Sequence, residues 1–352
     1  MTDLRGVLCR TVAVAALALT CVVAGGTATA GAAARPARSA VHCADHVVRV
    51  RIAETGPADQ RVWGRLCYSG SHPPGTVQLL VPGGTYGHVY WDLPYGGGYY
   101  SYARGAAAAG YATFNVDRVG TGHSSHPPGA TLDFPAEAVA LHDVITALRA
   151  GLVGGHAFGH VMWVGHSVGS QLAWDEIPRF GDVDAVILTG ALHAVNARTG
   201  AEGVAALYPA AQDPRFAGAG LDAGYLTTKP GTRAKLYYRP QTTDPRVVAV
   251  DEANKETMTT GELQGSGASG AHQIATPVLL LDGGDDALFC TGVTAYDCAD
   301  PASVLAYEAP AYPRARLKVV IIPGAGHCVA LSTAAPRATA AMIGWSRSVL
   351  AP

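Results

Sequence analysis

The chain has 352 residues, 49% of them hydrophobic and 15% charged, and its formal net charge at pH 7 is −2. This composition describes a globular protein with a sizeable core and excludes a disordered one. With no positive field and no Lys/Arg-rich run, nucleic acid and acidic lipid surfaces are excluded as partners on charge grounds.

The first 30 residues read as an export signal. Arg5 and Arg10 open the chain, Val12 to Val23 is apolar, and Ala28-Thr29-Ala30 is a small-residue cleavage site, with Ala32-Ala33-Ala34 as a second option. The apolar run is about a dozen residues, short of the ~20 that cross a bilayer, so no stable membrane anchor is expected. A linker is expected over 31–42. Export would expose five of the seven cysteines to an oxidising compartment. Cys43 could then pair with Cys67 and Cys290 with Cys298, although spacing alone does not decide pairing. Cys328 would be left over, as a small buried hydrophobe or as a reactive thiol beside His327. No Cys/His spacing resembles a zinc site.

His46–Ile52 and Val62–Tyr68 are β-rich runs around Gly56-Pro57-Ala58-Asp59, which predicts an antiparallel pair. Short apolar runs then alternate with longer helical stretches. Thr76–Val81 precedes helical Tyr102–Ala109, Tyr111–Val116 precedes Phe134–Leu152, and Val161–Val164 precedes Ser167–Ile177. Ala185–Thr189, Pro277–Leu281 and Leu317–Ile322 are three further runs. The alternation predicts an α/β fold with a mostly parallel central sheet and helices on both faces. Residues 193–275 break the rhythm and are too long for a bare loop. They predict a helical cap between a first core part, 43–192, and a second, 276–352.

Four segments carry candidate chemistry. Val161 to Gly169 reads strand, then Gly165-His166-Ser167-Val168-Gly169, then helix. This is the context in which a sharp turn lifts a serine hydroxyl clear of a sheet. Ser167 is the candidate nucleophile, and His166 is expected to point away from it. A serine needs a base. Of thirteen histidines, His327 is singled out by its Gly-rich loop after the run Leu317–Ile322. The orienting carboxylate is expected in Asp282-Gly283-Gly284-Asp285-Asp286, after Pro277–Leu281. Counting G-x-x-D from Gly283 selects Asp286; Asp285 competes, and Asp282 lies close to the strand end. The oxyanion donors would be the N–H of Val168 and that of Gly84, in Pro82-Gly83-Gly84-Thr85-Tyr86.

Together with Pro82 to Asp92 and Asp117 to Pro127, these segments resemble the α/β-hydrolase superfamily, and in particular its secreted bacterial, esterase-like serine hydrolases. The resemblance runs from about residue 76 to 330. It implies the α/β-hydrolase fold, a cap after strand six, and a Ser167–Asp286–His327 triad without metal or organic cofactor. Pro82 stands where a His is common in that family, and Cys328 where a polar residue is frequent. The implied activity is cleavage of a small-molecule carboxylic ester or lactone. Acyl transfer or ring closure in secondary metabolism, and non-catalytic binding, remain as alternatives. Tyr86, Tyr90, Trp91, Tyr95, Tyr99 and Tyr100 either line an apolar pocket or pack the core. Substrate identity and oligomeric state are not readable from these residues.

Overall fold

A computed structural model describes residues 40–265 and 271–352. The expected export signal and most of the expected linker lie outside these residues. The chain enters the fold earlier than expected: β1 spans Val41–Val50 and pairs antiparallel with β2, Gln60–Ser69, so Val41 and His42 are strand and not linker. The register sets Cys43 opposite Cys67, and the two are disulfide-bonded; Cys290 and Cys298 form a second disulfide.

Six parallel strands follow in the same sheet. They are β3 (Thr76–Val81), β4 (Ala112–Val116), β5 (His160–His166), β6 (Ala185–Thr189), and later β10 (Val278–Gly283) and β11 (Leu317–Ile322). The spatial order is β1-β2-β4-β3-β5-β6-β10-β11. Helices α1 (Tyr102–Ala108), α2 (Phe134–Arg149), α3 (Val168–Phe180), α8 (Pro301–Glu308) and α9 (Ala335–Val349) cover it.

Alternation along the strands explains why the sequence shows unbroken apolar runs. On β5, Val161 and Trp163 join one core with Leu141, Val144 and Leu148 of α2 and Leu172 of α3. Met162 and Val164 join the other core, with Ala103 of α1 and Met342 and Trp345 of α9. A strand buried on both faces has no polar face to show. Asp133 caps α2 by accepting from the Ala136 N–H at 2.9 Å, and Pro135 fits its first turn.

The segment between β6 and β10, expected to be a helical cap, is mixed. It holds α4 (Ala197–Ala205), α5 (Thr232–Tyr237), α6 (Pro245–Ala253) and α7 (Thr260–Leu263). Between them, β7 (Leu207–Pro209), β8 (Tyr225–Thr228) and β9 (Met258–Thr259) form an antiparallel sheet. These strands are too short for a period of two to show in the sequence.

Candidate active site

The turn from β5 into α3 is built by steric necessity. Ser167 has φ 51° and ψ −118°, a conformation that L residues avoid. Its N–H donates to the Thr189 carbonyl at 2.8 Å, and its own carbonyl accepts from Ser170 and Gln171 N–H. A Cβ on Gly165 would sit 2.5 Å from the Gly169 carbonyl oxygen, and one on Gly169 would run into the Val81 and Pro82 carbonyl oxygens. Trp163 Nε1 donates to the Gly169 carbonyl at 2.9 Å and fixes the turn from below. Val168 begins α3, so its N–H belongs to the unpaired first turn of a helix, where negative charge is favoured.

The β3 turn lies against this elbow. The Cβ position of Gly83 is 3.1 Å from Ser167 Cβ, and that of Gly84 is 3.1 Å from Val168 Cγ2. Thr85 holds a positive φ of 60°. The strained turn is clamped from several sides. Glu256 N–H donates to the Thr85 carbonyl at 2.9 Å, Arg233 Nη1 to Thr85 Oγ1 at 2.9 Å, and Arg118 Nη2 to the Gly83 carbonyl at 3.4 Å. Arg233 is fully buried, pairs with Asp251 through two bonds of 2.8 and 2.9 Å, and lies over the Tyr86 ring. Arg118 is equally buried, donating to Glu137 at 2.8 Å and to Glu262. Arg233, Asp251, Glu256 and Glu262 all come from the segment between β6 and β10. The sequence reading missed them because nothing in a Gly/Pro-rich insertion marks which charges turn inward.

His327 and Asp286 meet. His327 Nδ1 is 2.8 Å from Asp286 Oδ2, and both side chains are buried. With Nδ1 donating to the carboxylate, Nε2 is left as the acceptor. Asp286 Oδ1 accepts the Leu288 N–H at 2.7 Å. Burial pushes the Asp286 carboxyl up, but the His327 charge and hydrogen bond outweigh it and hold the group below its ordinary value. Asp285 is exposed, and among the described residues no hydrogen bond joins its side chain to His327. Asp282, which the sequence reading passed over, is buried beside Asp286. Burial and the Asp286 charge push it well above the ordinary carboxyl range. Among the described residues no hydrogen bond joins Ser167 Oγ to His327; such bonds commonly tighten only with substrate in place.

His166 packs among aromatic rings beside His327. Its ring is buried, stacked on Tyr90 at 3.9 Å and 7°, with its centroid 4.8 Å from that of His327. A Cβ on Gly190 would touch both rings. Burial first, then the neighbouring His327 charge, lowers His166 well below the ordinary histidine value, so it is neutral. Cys328 Sγ lies 2.9 Å from Tyr86 Oη, and burial pushes its thiol up, away from the reactive thiolate. Tyr86, Tyr90, Trp91 and Tyr100 are buried in the second core with α1, as packing residues. Tyr95 and Tyr99 bond outward, to Asp244 and to the Thr333 carbonyl. Ser167, Val168 and Gly84 stay partly exposed. The arrangement can deliver a serine oxygen to an electrophile from that opening and take up its proton on a buried imidazole.

Metal-ligating side chains cluster elsewhere. Among the described residues, His88, Asp117 and His123 come together in one group, and His142, Glu176 and Asp182 in another.

A sequence profile of the alpha/beta hydrolase family matches residues 78–342. No curated protein matches the chain significantly. Solved structures share its fold at low identity. A thermophilic esterase from Thermogutta terrifontis is 18% identical with a TM-score of 0.60, over 88% of this chain and 100% of that one. The esterase domain of a Rhodothermus marinus protein is 15% identical with a TM-score of 0.52, over 88% and 100%. A bromoperoxidase from Bacillus anthracis is 17% identical with a TM-score of 0.51, over 86% and 99%. Relatives named for such different chemistry show the fold alone. With the profile spanning most of the sequence and the elbow set between β5 and α3 of an eight-stranded, mostly parallel sheet, the chain belongs to the α/β-hydrolase family.

Proposed function

We propose that the protein is a serine hydrolase that cleaves a small carboxylic ester or lactone through an acyl-enzyme. The observation that carries this reading is Ser167 at a positive-φ elbow beside a buried, hydrogen-bonded His327–Asp286 pair. In the first step His327 Nε2 takes the proton of Ser167 Oγ as the oxygen attacks the carbonyl carbon. The N–H groups of Val168 and Gly84 receive the negative charge that forms on the carbonyl oxygen. Collapse expels the alcohol, which leaves with the proton from His327. Water, deprotonated by His327, then attacks the acyl carbon, and the acid leaves as His327 returns the proton to Ser167 Oγ. Asp286 keeps the imidazole in the required tautomer and balances its transient charge. The segment between β6 and β10 serves as the cap, holding the oxyanion turn through Arg233 and Glu256. Two disulfides accord with export to an oxidising compartment after removal of the N-terminal signal.

A fluorophosphonate probe, read by intact mass, tests the assignment. One adduct that disappears in Ser167→Ala is expected, together with loss of turnover on p-nitrophenyl esters by about 10⁴-fold or more. An adduct surviving in Ser167→Ala overturns it. No adduct on folded protein would favour a binding role. Transfer to added alcohols or amines in preference to water would make the enzyme an acyltransferase.

A further inference from the structure

Three side chains from three segments converge where α3 leads back into β6. His142 lies on α2, Glu176 near the end of α3, and Asp182 in the turn that leads into β6. One ligand-capable atom of each lies within 4.8 Å of the other two, and His142 Nδ1 is 2.6 Å from Asp182 Oδ2. Glu176 is fully buried, yet neither carboxyl oxygen has a hydrogen-bond partner, and Asp182 Oδ1 has none either. The nearby cations are engaged elsewhere. Arg149 bonds the Asp182 backbone carbonyl and the Asp184 side chain, and Arg179 pairs with Glu54. Phe180 stacks on the His142 ring at 4.0 Å and fixes its plane.

Unpartnered buried carboxyl oxygens are costly, and burial and the facing Asp182 push the Glu176 carboxyl well above its ordinary range. Without a cation one proton therefore lies between the two groups, a place a divalent ion can take. The second His/Asp cluster makes the contrast. Asp117 accepts from the backbone and ring N–H groups of both His88 and His123, four bonds in all, and needs nothing more.

We propose that His142, Glu176 and Asp182 bind a divalent transition-metal ion of the Zn²⁺ or Mn²⁺ class, which staples α2 to α3 and to the turn before β6. One imidazole nitrogen with two carboxylates suits these ions better than Ca²⁺ or Mg²⁺, which take oxygen sets. Bonds of about 2.0–2.2 Å to each donor would bring the three atoms to roughly 3–3.5 Å from one another, a small side-chain adjustment. Binding displaces the His142 Nδ1 proton and any proton held between the two carboxyl groups. His142 and Asp182 are only partly buried, which leaves a path of entry. Ser167 is not part of this site, so the proposal stands or falls independently of the hydrolase reading.

The test is calorimetric titration of the chelator-treated full chain with ZnCl₂ and MnCl₂, with CaCl₂ as the oxygen-preferring control, alongside thermal melts. One saturable equivalent of Zn²⁺ or Mn²⁺ is expected, with a Tm that climbs with metal concentration. Affinity should fall by at least roughly tenfold in Glu176→Gln and in His142→Ala, and should persist in the double variant His88→Ala/His123→Ala. Glu176→Gln keeps the shape and removes a ligand that can ionise on binding metal; Asp182→Asn serves if it fails to fold. Absence of saturable binding in the wild type, with an infrared carboxylic-acid band lost in Glu176→Gln, would show a shared proton instead and overturn the proposal. Binding that survives Glu176→Gln, or that vanishes with His88 and His123, would overturn it as well.

Discussion

Asp282 and Asp286 lie four residues apart and share one buried site, where two negative charges cannot coexist cheaply. His327 faces Asp286, so Asp286 keeps the charge and Asp282 the proton. Their carboxyl groups therefore have different duties despite equal chemistry. Asp286→Asn should lower kcat by about 10⁴, because the amide can no longer select the tautomer that leaves Nε2 free. Asp282→Asn keeps a donor toward Asp286 and should stay within about tenfold of the wild type. Equal losses in the two variants, measured on one chromogenic ester, would contradict this division. The local count G-x-x-D had already favoured Asp286 over Asp285. No local pattern could reveal that Asp282 backs it, since that depends on how the β10 strand end turns beneath the loop.

At the level of elements, the elbow and the turn after β3 are each strained, and each is held by neighbours. Gly169→Ala should cost about 1–3 kcal/mol or more, since its methyl meets backbone carbonyls that side-chain motion cannot relieve; chemical denaturation measures it. The turn after β3, proposed to hold the oxyanion donor, is clamped by Arg233, which reaches Thr85 from α5. Arg233→Met alone would strand the Asp251 carboxylate and destabilise the fold by about 3–5 kcal/mol. The double variant Arg233→Met/Asp251→Leu removes both charges. It should recover most of that stability and still lose roughly 10²-fold in kcat, with little change in KM, as expected when an oxyanion donor is misplaced. Wild-type kcat in the folded double variant would remove Arg233 from the positioning role.

For the molecule as a whole, buried charge makes stability depend on pH. Burial raises Glu137 from 4.5 to about 8, despite the adjacent Arg118. A carboxyl raised by folding stabilises the native state fully below its unfolded value, and the contribution is lost as pH climbs through the folded one. The wild type should therefore lose stability between pH of about 4.5 and 8, and Glu137→Gln should flatten that part of the Tm profile; an unchanged slope in the variant would refute it.

The sequence by itself determined the sheet, the elbow and the pairing of strand with helix, because those features rest on local rules. Strands β3, β5, β6 and β10 are visible as apolar runs since both faces are buried, whereas β11, at the sheet edge, is only partly buried. The elbow is visible because Gly165 and Gly169 must lack a Cβ wherever backbone packs so closely. Tertiary structure alone decided which charges turn inward: Arg118 and Arg233 onto the turn after β3, His166 against His327, Asp282 beside Asp286, and Glu176 against Asp182. It also decided that the insertion carries a small sheet as well as helices. A buried polar group is set by partners distant in the chain, and those partners leave no period or spacing to read.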